Sequence, residues 1–224
     1  MSAHDNVFDR AFGAFLFDMD GTVLNSIAAA ERVWAAWAER HGVDVESFLP
    51  TIHGARAIDT IRRLNLPGVD AEAQAAFIAQ AEIDDVEGIV QIPGAAAFLD
   101  SLPADQWALV TSAPRELAMR RLQAAGIAPP TVMVTAEDVA IGKPNPACYV
   151  LGAQRLGVSV QECLVFEDAS VGIRAGEAAG ADVMVVTTTH LKPLATQHPT
   201  IGGYERLQVR RNAEGWLTLH NEAG

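Results

Sequence analysis

Two aspartates directly follow an apolar run close to the start of the chain. The run Phe15–Phe17 has the pattern of a buried strand, and Asp18 and Asp20 come at its end. Residues two apart in an extended backbone point to the same side, so both carboxylates are expected to face the region beyond the strand. Gly21 allows a sharp turn there, and Thr22 adds a hydroxyl. Because two close carboxylates repel each other unless a cation or a shared proton compensates them, this cluster favours a divalent cation with a nucleophile beside it.

Three later segments supply further polar side chains, two of them at the ends of apolar runs. They are Thr111 and Ser112 after Trp107–Val110, Lys143 within Gly142–Pro146, and Glu167 and Asp168 after Cys163–Phe166. Each alone has an ordinary explanation, such as a helix cap or a solvated lysine in a turn. All four together in one chain, with helical patterns between them, make coincidence improbable.

From about residue 90 onwards, strand-like and helical patterns alternate along the chain. The predicted strands are Trp107–Val110, Val132–Thr135, Leu164–Phe166 and Val183–Val186, and the predicted helices are Pro93–Leu102, Pro114–Ala125, Pro146–Leu156 and Ser170–Ala179. This alternation predicts an α/β fold whose parallel sheet is covered by helices on both faces, a three-layer Rossmann-like core. Ligands bind such sheets outside the carboxyl ends of the strands, so the acidic and hydroxyl side chains that follow the apolar runs are expected to converge there.

Two stretches depart from this alternation. Residues 27–91 contain helical patterns only, the first with Ser26 as its expected N-cap. These patterns are Ile27–Arg40, Ala57–Leu64 and Ala71–Asp85. Near the end of the chain, Leu207–Arg211 and Trp216–His220 flank a turn and predict a C-terminal hairpin on the edge of the sheet.

Composition limits the possible partners and location. The 224 residues carry a formal net charge of −12, which argues against a nucleic-acid partner, and 50% of them are apolar. No apolar run is long enough for a membrane span, so no membrane partner is expected. Cys148 and Cys163 are expected to be buried free thiols. Because Met1–Arg10 lacks the apolar core of a secretory signal, we expect a cytoplasmic protein, either a monomer or a weak homodimer.

The four motifs, in the order Asp pair, Thr/Ser, Lys and acidic pair, resemble those of the haloacid dehalogenase-like hydrolase superfamily. The resemblance covers roughly residues 13–220. Segments including Glu31–Trp37 and Ile52–Arg56 are similar to bacterial sugar and hexitol phosphatases of the β-phosphoglucomutase-like branch. This resemblance implies a Mg²⁺-dependent phosphatase that acts on a small phosphorylated sugar or polyol.

One large branch of that superfamily carries a helical cap after the first motif, and residues 26–91 resemble it. The resemblance implies a catalytic core made of residues 1–25 and 92–224. Closure of the cap on this core would exclude water and supply substrate contacts. Trp34 and Trp37 are expected to pack inside the cap rather than to serve as platforms for a sugar.

The resemblance also implies a role for each motif residue. Asp18 would attack phosphorus to form an aspartyl-phosphate, and Asp20 would protonate the departing oxygen and then deprotonate the hydrolytic water. Mg²⁺ would be held by Asp18, the Asp20 main-chain carbonyl and Asp168. Glu167 is expected either to bind the metal as well or to support its ligands. The expected phosphate- and substrate-binding residues are Thr111, Ser112 and Lys143 in the core and His53, Gly54 and Arg56 in the cap.

Other activities fit parts of the pattern. A dehalogenase needs no acid/base at Asp20, so this residue favours phosphoryl transfer. The alternative enzyme is a sugar-phosphate mutase. Mutases of this branch commonly have a histidine on the first cap helix, where this chain has Ala30, so the chain favours a phosphatase over a mutase. A non-catalytic phosphate-binding protein would not need every motif filled. In the cap, Arg56 also fits an exposed helix residue, and His53 a hydrogen-bonded structural one.

Overall fold

A parallel sheet lies at the centre of the computed structural model, which describes residues 7–192 and 194–221. The strands of the described residues are β1 (Ala11–Phe12), β2 (Ala14–Phe17), β3 (Leu24–Asn25), β4 (Val90–Gln91), β5 (Trp107–Val110), β6 (Met133–Val134), β7 (Cys163–Glu167), β8 (Asp182–Val186), β9 (Thr200–Ile201), β10 (Leu207–Arg211) and β11 (Leu217–Asn221). One sheet has the order β6-β5-β2-β7-β8-β9, and all its neighbouring pairs are parallel. The carboxyl ends of these strands therefore lie along one edge.

β2 occupies an interior position in this sheet and is buried on both faces. Phe15 and Phe17 belong to the core on one face, and Ala14 and Leu16 to the core on the other. The Phe17 ring stacks on Phe166 of β7 with the ring centroids 4.5 Å apart. Burying a large apolar side chain contributes roughly 1.5–3 kcal/mol, so this cluster firmly anchors the strand ends that carry the acidic motifs.

Helices cover both faces of the sheet. The helices of the described residues are α1 (Ile27–Arg40), α2 (Val45–Phe48), α3 (Ala57–Leu64), α4 (Ala71–Asp84), α5 (Ala95–Asp100), α6 (Arg115–Ala125), α7 (Ala147–Leu156) and α8 (Ser170–Ala179). Helices α5 and α6 pack on the face of Phe15 and Phe17, and α7 and α8 pack on the face of Leu16. The three-layer α/β fold predicted from the alternation is therefore confirmed.

Helices α1 to α4 form a separate layer, residues 26–91, which we call the cap. Their apolar side chains make a core of their own that contains Trp34, Trp37, Phe48 and Ile78, as expected for the two tryptophans. The segments that enter and leave the cap, β3 and β4, pair with each other antiparallel. Because both crossings lie side by side, the cap is attached to the rest of the molecule at one place.

The predicted capping of α1 by the Ser26 side chain is wrong. The Ser26 hydroxyl donates to Asp20 Oδ1 at 2.5 Å, and Asn25 Oδ1 accepts the Ile27 N–H at 3.1 Å instead. A serine before a helical pattern ordinarily bonds the free N–H groups of the first turn. Here the hydroxyl donates to the Asp20 carboxylate and accepts no helix N–H, so Ser26 belongs to the acidic site.

The C-terminal hairpin forms, but its predicted position on the edge of the parallel sheet is wrong. β10 and β11 pair antiparallel, and β11 also pairs with β1 in a separate three-stranded sheet. Leu217 and Leu219 are buried in the same core as Phe15 and Phe17, so the hairpin packs over a face of the parallel sheet. β1 has only two residues, and so short a strand has no periodicity that a sequence pattern can reveal.

The two cysteines are buried and form no disulfide, as expected. Burial raises the pKa of Cys148, and it raises the pKa of Cys163 to about 12, so both thiols stay protonated at neutral pH. Among the described residues, the helices lack the combination of length and apolar character that crossing a bilayer requires.

Candidate active site

The acidic and hydroxyl motifs converge at the carboxyl ends of three neighbouring strands. Asp18 follows β2, Thr111 follows β5, and Asp168 follows β7. These strands are adjacent in the order β5-β2-β7, so side chains that are far apart in the sequence lie close together. The N–H of Asp18 donates to the carbonyl of Phe166 at 2.9 Å, which continues the pairing of β2 and β7 into the site. The convergence predicted from the strand pattern is present.

Lys143 lies at the centre of this cluster, and its side chain is only 1% exposed. Its Nζ donates to Asp18 Oδ1 at 2.5 Å, to Glu167 Oε1 at 2.7 Å and to the carbonyl of Val110 at 3.2 Å. Burial disfavours the ammonium, but the carboxylates of Asp18 and Glu167 outweigh burial and raise the pKa of Lys143 well above its ordinary value. Lys143 is therefore a buried cation that faces the site.

Glu167 is fully buried, and both of its carboxylate oxygens are occupied by protein donors. Oε1 accepts from Lys143 and from the Tyr149 hydroxyl at 2.8 Å, and Oε2 accepts from the N–H groups of Asp168 and Ala169 at 2.9 and 3.0 Å. The space beside Glu167 is also filled, because a Cβ added to Gly172 would lie 1.5 Å from Oε1. Glu167 is thus built as a fixed acceptor that orients Lys143 and the turn after β7.

Asp18 and Asp168 form a buried carboxylate pair beside this network. Together with Glu167 they offer ligand atoms within 4.8 Å of one another. Burial raises the pKa of Asp18 to about 8 despite the lowering effect of Lys143, and burial together with Glu167 raises the pKa of Asp168 well above its ordinary value. Raised pKa values show that the protein neighbours alone do not compensate the charged form of either carboxylate.

The turn after β2 approaches the Asp168 carboxylate closely. A Cβ on Gly21, whose φ is +85°, would lie 1.9 Å from Asp168 Oδ2, so only glycine fits at this turn. The Thr22 hydroxyl is 3.4 Å from Asp168 Oδ1. Hard oxygen ligands, uncompensated charge and a glycine turn together fit a divalent cation such as Mg²⁺.

Asp20 has a different environment from Asp18. Its Oδ1 accepts from the Ser26 hydroxyl at 2.5 Å and from Arg121 Nη1 at 2.9 Å. Ser26 precedes the first cap helix, and Arg121 lies on α6 of the core. The Asp20 side chain is thus held at the junction between the cap and the sheet.

A cavity between the cap and the core opens onto these aspartates. The residues that line it include Asp18, Asp20, Ser112 and Asp168 from the core and Ala30, Trp34, His53, Gly54 and Glu82 from the cap. Gly54 touches the core directly, because its carbonyl accepts from the Ser112 hydroxyl at 2.9 Å. A Cβ on Gly54 would lie 2.6 Å from Ala169 Cβ, so the glycine permits the cap loop to approach the acidic motif closely.

The other predicted substrate-binding residues are placed differently. His53 lines the cavity while its Nε2 contacts Glu31 Oε1 at 3.2 Å. Thr111 is buried, and its hydroxyl accepts from the Ala113 N–H at 3.0 Å. Arg56 does not line the cavity: its guanidinium binds Asp59 at 2.7 Å and the core carbonyls of residues 139 and 140 at 2.8 and 3.1 Å. The structure therefore gives Arg56 a contact between cap and core in place of the predicted contact with substrate.

The sequence interpretation missed Arg121 and Glu82, which both line the cavity. A signal for each was available. Arg121 falls on the apolar stripe of α6 formed by Leu117, Ala118 and Leu122, and Glu82 lies one helical turn after the buried Ile78. A charged residue on an otherwise buried helix face is expensive unless it is paired, so such positions deserve a functional explanation.

The family model of the haloacid dehalogenase-like hydrolases matches residues 12–180 of this chain. This range contains the four motifs and the whole cap. The chain therefore belongs to the haloacid dehalogenase-like hydrolase family.

Individual relatives share this architecture over most of their length. Hexitol phosphatase A of Escherichia coli is 45% identical over 176 residues, which cover 77% of this chain and 82% of the relative. Glycerol-1-phosphate phosphohydrolase 2 of Saccharomyces cerevisiae is 33% identical over 187 residues, which cover 79% and 75%. The crystal structure of a hydrolase from Pseudomonas syringae matches with a TM-score of 0.71 at 26% identity, over 79% of this chain and 85% of that one.

Proposed function

We propose that this protein is a Mg²⁺-dependent phosphatase that hydrolyses phosphate monoesters of small sugars or sugar alcohols. The observation that carries the proposal is the pairing of Asp18 with the buried Lys143 directly beside Asp20 and Asp168. This arrangement supplies a nucleophile, a cation and an acid/base at the floor of a capped cavity. The likeness to hexitol phosphatase A and to a glycerol phosphatase supports the substrate class.

Asp18 is the nucleophile in this proposal. A carboxylate oxygen attacks phosphorus, the bond between phosphorus and the ester oxygen breaks, and an aspartyl-phosphate forms on Asp18. Lys143, fixed by Glu167 and Val110, holds one Asp18 oxygen and directs the other towards the cavity. Its charge also offsets the negative charge that phosphate brings into a buried site.

Asp20 is the acid and base in the same reaction. It gives a proton to the departing alcohol oxygen and later takes one from the water that cleaves the aspartyl-phosphate. Water attack on phosphorus releases inorganic phosphate and restores the Asp18 carboxylate. The Ser112 hydroxyl lines the cavity and donates to the Gly54 carbonyl, and it would exchange this acceptor for a phosphoryl oxygen when substrate binds.

Asp18, Asp168 and the main-chain carbonyl of Asp20 would hold the Mg²⁺ ion. Bound there, the ion supplies positive charge to the non-bridging phosphoryl oxygens. Glu167, whose oxygens are already occupied, supports these ligands through Lys143 and the N–H of Asp168.

The experiment is a panel of phosphorylated polyols, hexoses and short acids, assayed for inorganic phosphate with Mg²⁺ and with EDTA. We expect release from several polyol or sugar phosphates with Mg²⁺ only. Glucose 1-phosphate should give free glucose and no glucose 6-phosphate, because Ala30 gives the cavity wall no acid/base at the position where mutases carry histidine. Interconversion of the two glucose phosphates without phosphate release would overturn the phosphatase in favour of a mutase.

A further inference from the structure

A chain of buried charges links the cap to the acid/base of the core. Arg121 on α6 is only 5% exposed. Its Nη1 donates to Asp20 Oδ1 at 2.9 Å, and its Nη2 lies 3.1 Å from Oε1 of Glu82 on the cap helix α4. One guanidinium therefore joins the carboxylate proposed as the acid/base, Asp20, to a carboxylate of the cap, Glu82.

The charges in this chain depend on one another. Burial raises the pKa of Glu82, and Arg121 opposes that rise. Burial disfavours the charged Arg121, but Asp20 and Glu82 outweigh it and raise the pKa of the guanidinium. The Trp34 side chain adds a hydrogen bond that favours the charged form of Glu82.

Stability alone does not account for these residues. Well-packed apolar side chains usually stabilise a protein as well as a buried ion pair does, and the neighbours of Arg121 on its helix face are apolar. Both residues also line the cavity rather than a remote part of the interface. A role in the reaction is therefore the better explanation.

The geometry at Asp20 indicates what that role is. Ser26 and Arg121 both bind Oδ1, so Oδ2 is the oxygen left to carry the proton. Arg121 also binds Glu82 through its other terminal nitrogen, and the planar guanidinium is held at both ends. Docking of the cap then fixes the guanidinium, and the guanidinium fixes the carboxylate.

We propose that Arg121 and Glu82 are positioning residues that couple cap closure to the orientation of Asp20 as general acid. The proposal rests on the proposed function and adds two residues to it. With this contact, Asp20 protonates the leaving group efficiently only when the cap is docked. Docking also excludes bulk water, so the Asp20 proton is not lost to solvent before the reaction.

The test compares Glu82→Gln with Glu72→Gln, the same substitution on the same helix in an exposed ion pair with Arg62. Each variant and the wild type are assayed for kcat/KM on three substrates: a simple alkyl phosphate without hydroxyls, p-nitrophenyl phosphate and a polyol phosphate. An alkyl alcohol needs a proton to leave, whereas p-nitrophenolate leaves as a stable anion. Because kcat/KM covers the steps up to departure of the alcohol and excludes hydrolysis of the aspartyl-phosphate, comparing the leaving groups separates the acid step from the others.

We expect Glu82→Gln to lower kcat/KM about tenfold or more for the alkyl and polyol phosphates and less than about threefold for p-nitrophenyl phosphate. Glu72→Gln should leave all three unchanged. Arg121→Lys, which keeps the charge and loses the fork, should show the same selective loss and provides a second variant if Glu82→Gln folds poorly. Thermal unfolding of each variant checks that the fold is intact.

Two outcomes would overturn the proposal. Equal losses on all three substrates would show a structural role only, and a loss confined to the polyol phosphate would make Glu82 a ligand for substrate hydroxyls. Failure of the proposed function looks different, because the wild type would then release phosphate from none of the three substrates.

Discussion

Three neighbouring acids in the site have different surroundings, and the roles that we propose for them follow from this difference. Glu167 has both oxygens filled by donors, Asp18 shares one oxygen with a buried lysine, and Asp20 lies at the cap junction with a serine and an arginine. Environment of this kind separates the pKa values and the tasks of chemically similar groups.

The first prediction concerns the nucleophile. Asp18→Asn should abolish turnover, because an amide does not act as the attacking group, and the amide oxygen still accepts from Lys143. The metal-free variant should unfold at a temperature no lower than the wild type, since one of three clustered negative charges is removed. Phosphate release and a thermal melt check both statements, with mass spectrometry to exclude deamidation. A tenth of the wild-type rate would contradict the assignment of Asp18.

The second prediction separates the metal ligands from their support. Asp168→Asn should weaken Mg²⁺ binding strongly, whereas Glu167→Gln should weaken it little and instead destabilise the fold. The Gln amide would place two N–H donors against other donors, and an unmatched buried polar group costs about 1–3 kcal/mol. Mg²⁺ titration calorimetry and urea unfolding of both variants measure the two effects. If Glu167→Gln lost metal binding as completely as Asp168→Asn, Glu167 would be a ligand.

At the scale of elements, the cap loop and the strand-end loops of the core hold each other. Ser112 binds the carbonyl of Gly54, and Arg56 binds the carbonyls of Val139 and Ala140. These contacts lie around the cavity and join the helical layer to the sheet. They add to the Arg121–Glu82 contact between the same two layers.

The third prediction follows from the position of Arg56. Arg56→Ala should lower kcat/KM for all substrates by a similar factor, including p-nitrophenyl phosphate, because it weakens docking of the cap. Hydrogen bonds from a charged donor are worth roughly 1.5–3 kcal/mol, so a factor of about ten is expected. The matched control is Arg62→Ala, which replaces an exposed arginine in α3, the helix that Arg56 precedes. A changed ranking among sugar phosphates would instead restore Arg56 as a substrate contact.

The fourth prediction concerns the loop that follows β6. Asp138 accepts from Arg155 at 2.6 Å and from the Thr135 N–H at 2.8 Å, and the bond from Arg155 together with the Thr135 bonds holds the Asp138 pKa well below its usual range. A depressed folded-state pKa stabilises the protein above the unfolded-state value near 4, and this contribution is lost as pH falls through the folded-state value.

Asp138→Asn should therefore reduce the free energy of unfolding by about 1–2 kcal/mol at pH 7. The difference from the wild type should persist at pH 5 and shrink below about pH 4. Urea unfolding across this range measures it, with the exposed Asp105→Asn as control. A difference that grew on acidification would refute the origin of the stabilisation.

At the scale of the whole molecule, the site and the net charge both favour cation binding. The protein carries a formal charge of −12, and the carboxyl edge of its sheet gathers buried acids around Lys143. A cation that binds only the folded state stabilises the whole fold by mass action. Activity and global stability should therefore respond together to the metal.

The fifth prediction is that Mg²⁺ raises the midpoint of thermal unfolding while it restores activity to EDTA-treated protein. At a Mg²⁺ concentration of about one hundred times its dissociation constant, the gain in stability is about 2.7 kcal/mol. NaCl at equal ionic strength should give neither effect. Full activity of thoroughly demetallated protein would contradict the proposed metal site.

Much of this molecule is specified locally. The alternation of strand and helix, the two apolar faces of β2 and the acidic residues at strand ends follow from short-range patterns, and those patterns predicted the parallel sheet and its carboxyl edge. The rule that polar residues after parallel strands share one edge then brought Asp18, Thr111 and Asp168 into one predicted site, and the family resemblance added Lys143. The roles predicted for these residues await the assays above.

Other features depend on which elements meet, and no local pattern contains that information. The hairpin pairs with β1, whose two residues carry no pattern of their own. Ser26 donates to Asp20 and does not cap its own helix, because the fold brings the Asp20 carboxylate within hydrogen-bond distance. The Arg56 guanidinium binds the carbonyls of Val139 and Ala140, in the loop that follows β6, and does not line the cavity. Arg121 and Glu82 meet only when cap and core are docked, so their pairing, and the control of Asp20 that we infer from it, is decided by tertiary contacts between residues that lie far apart in the sequence.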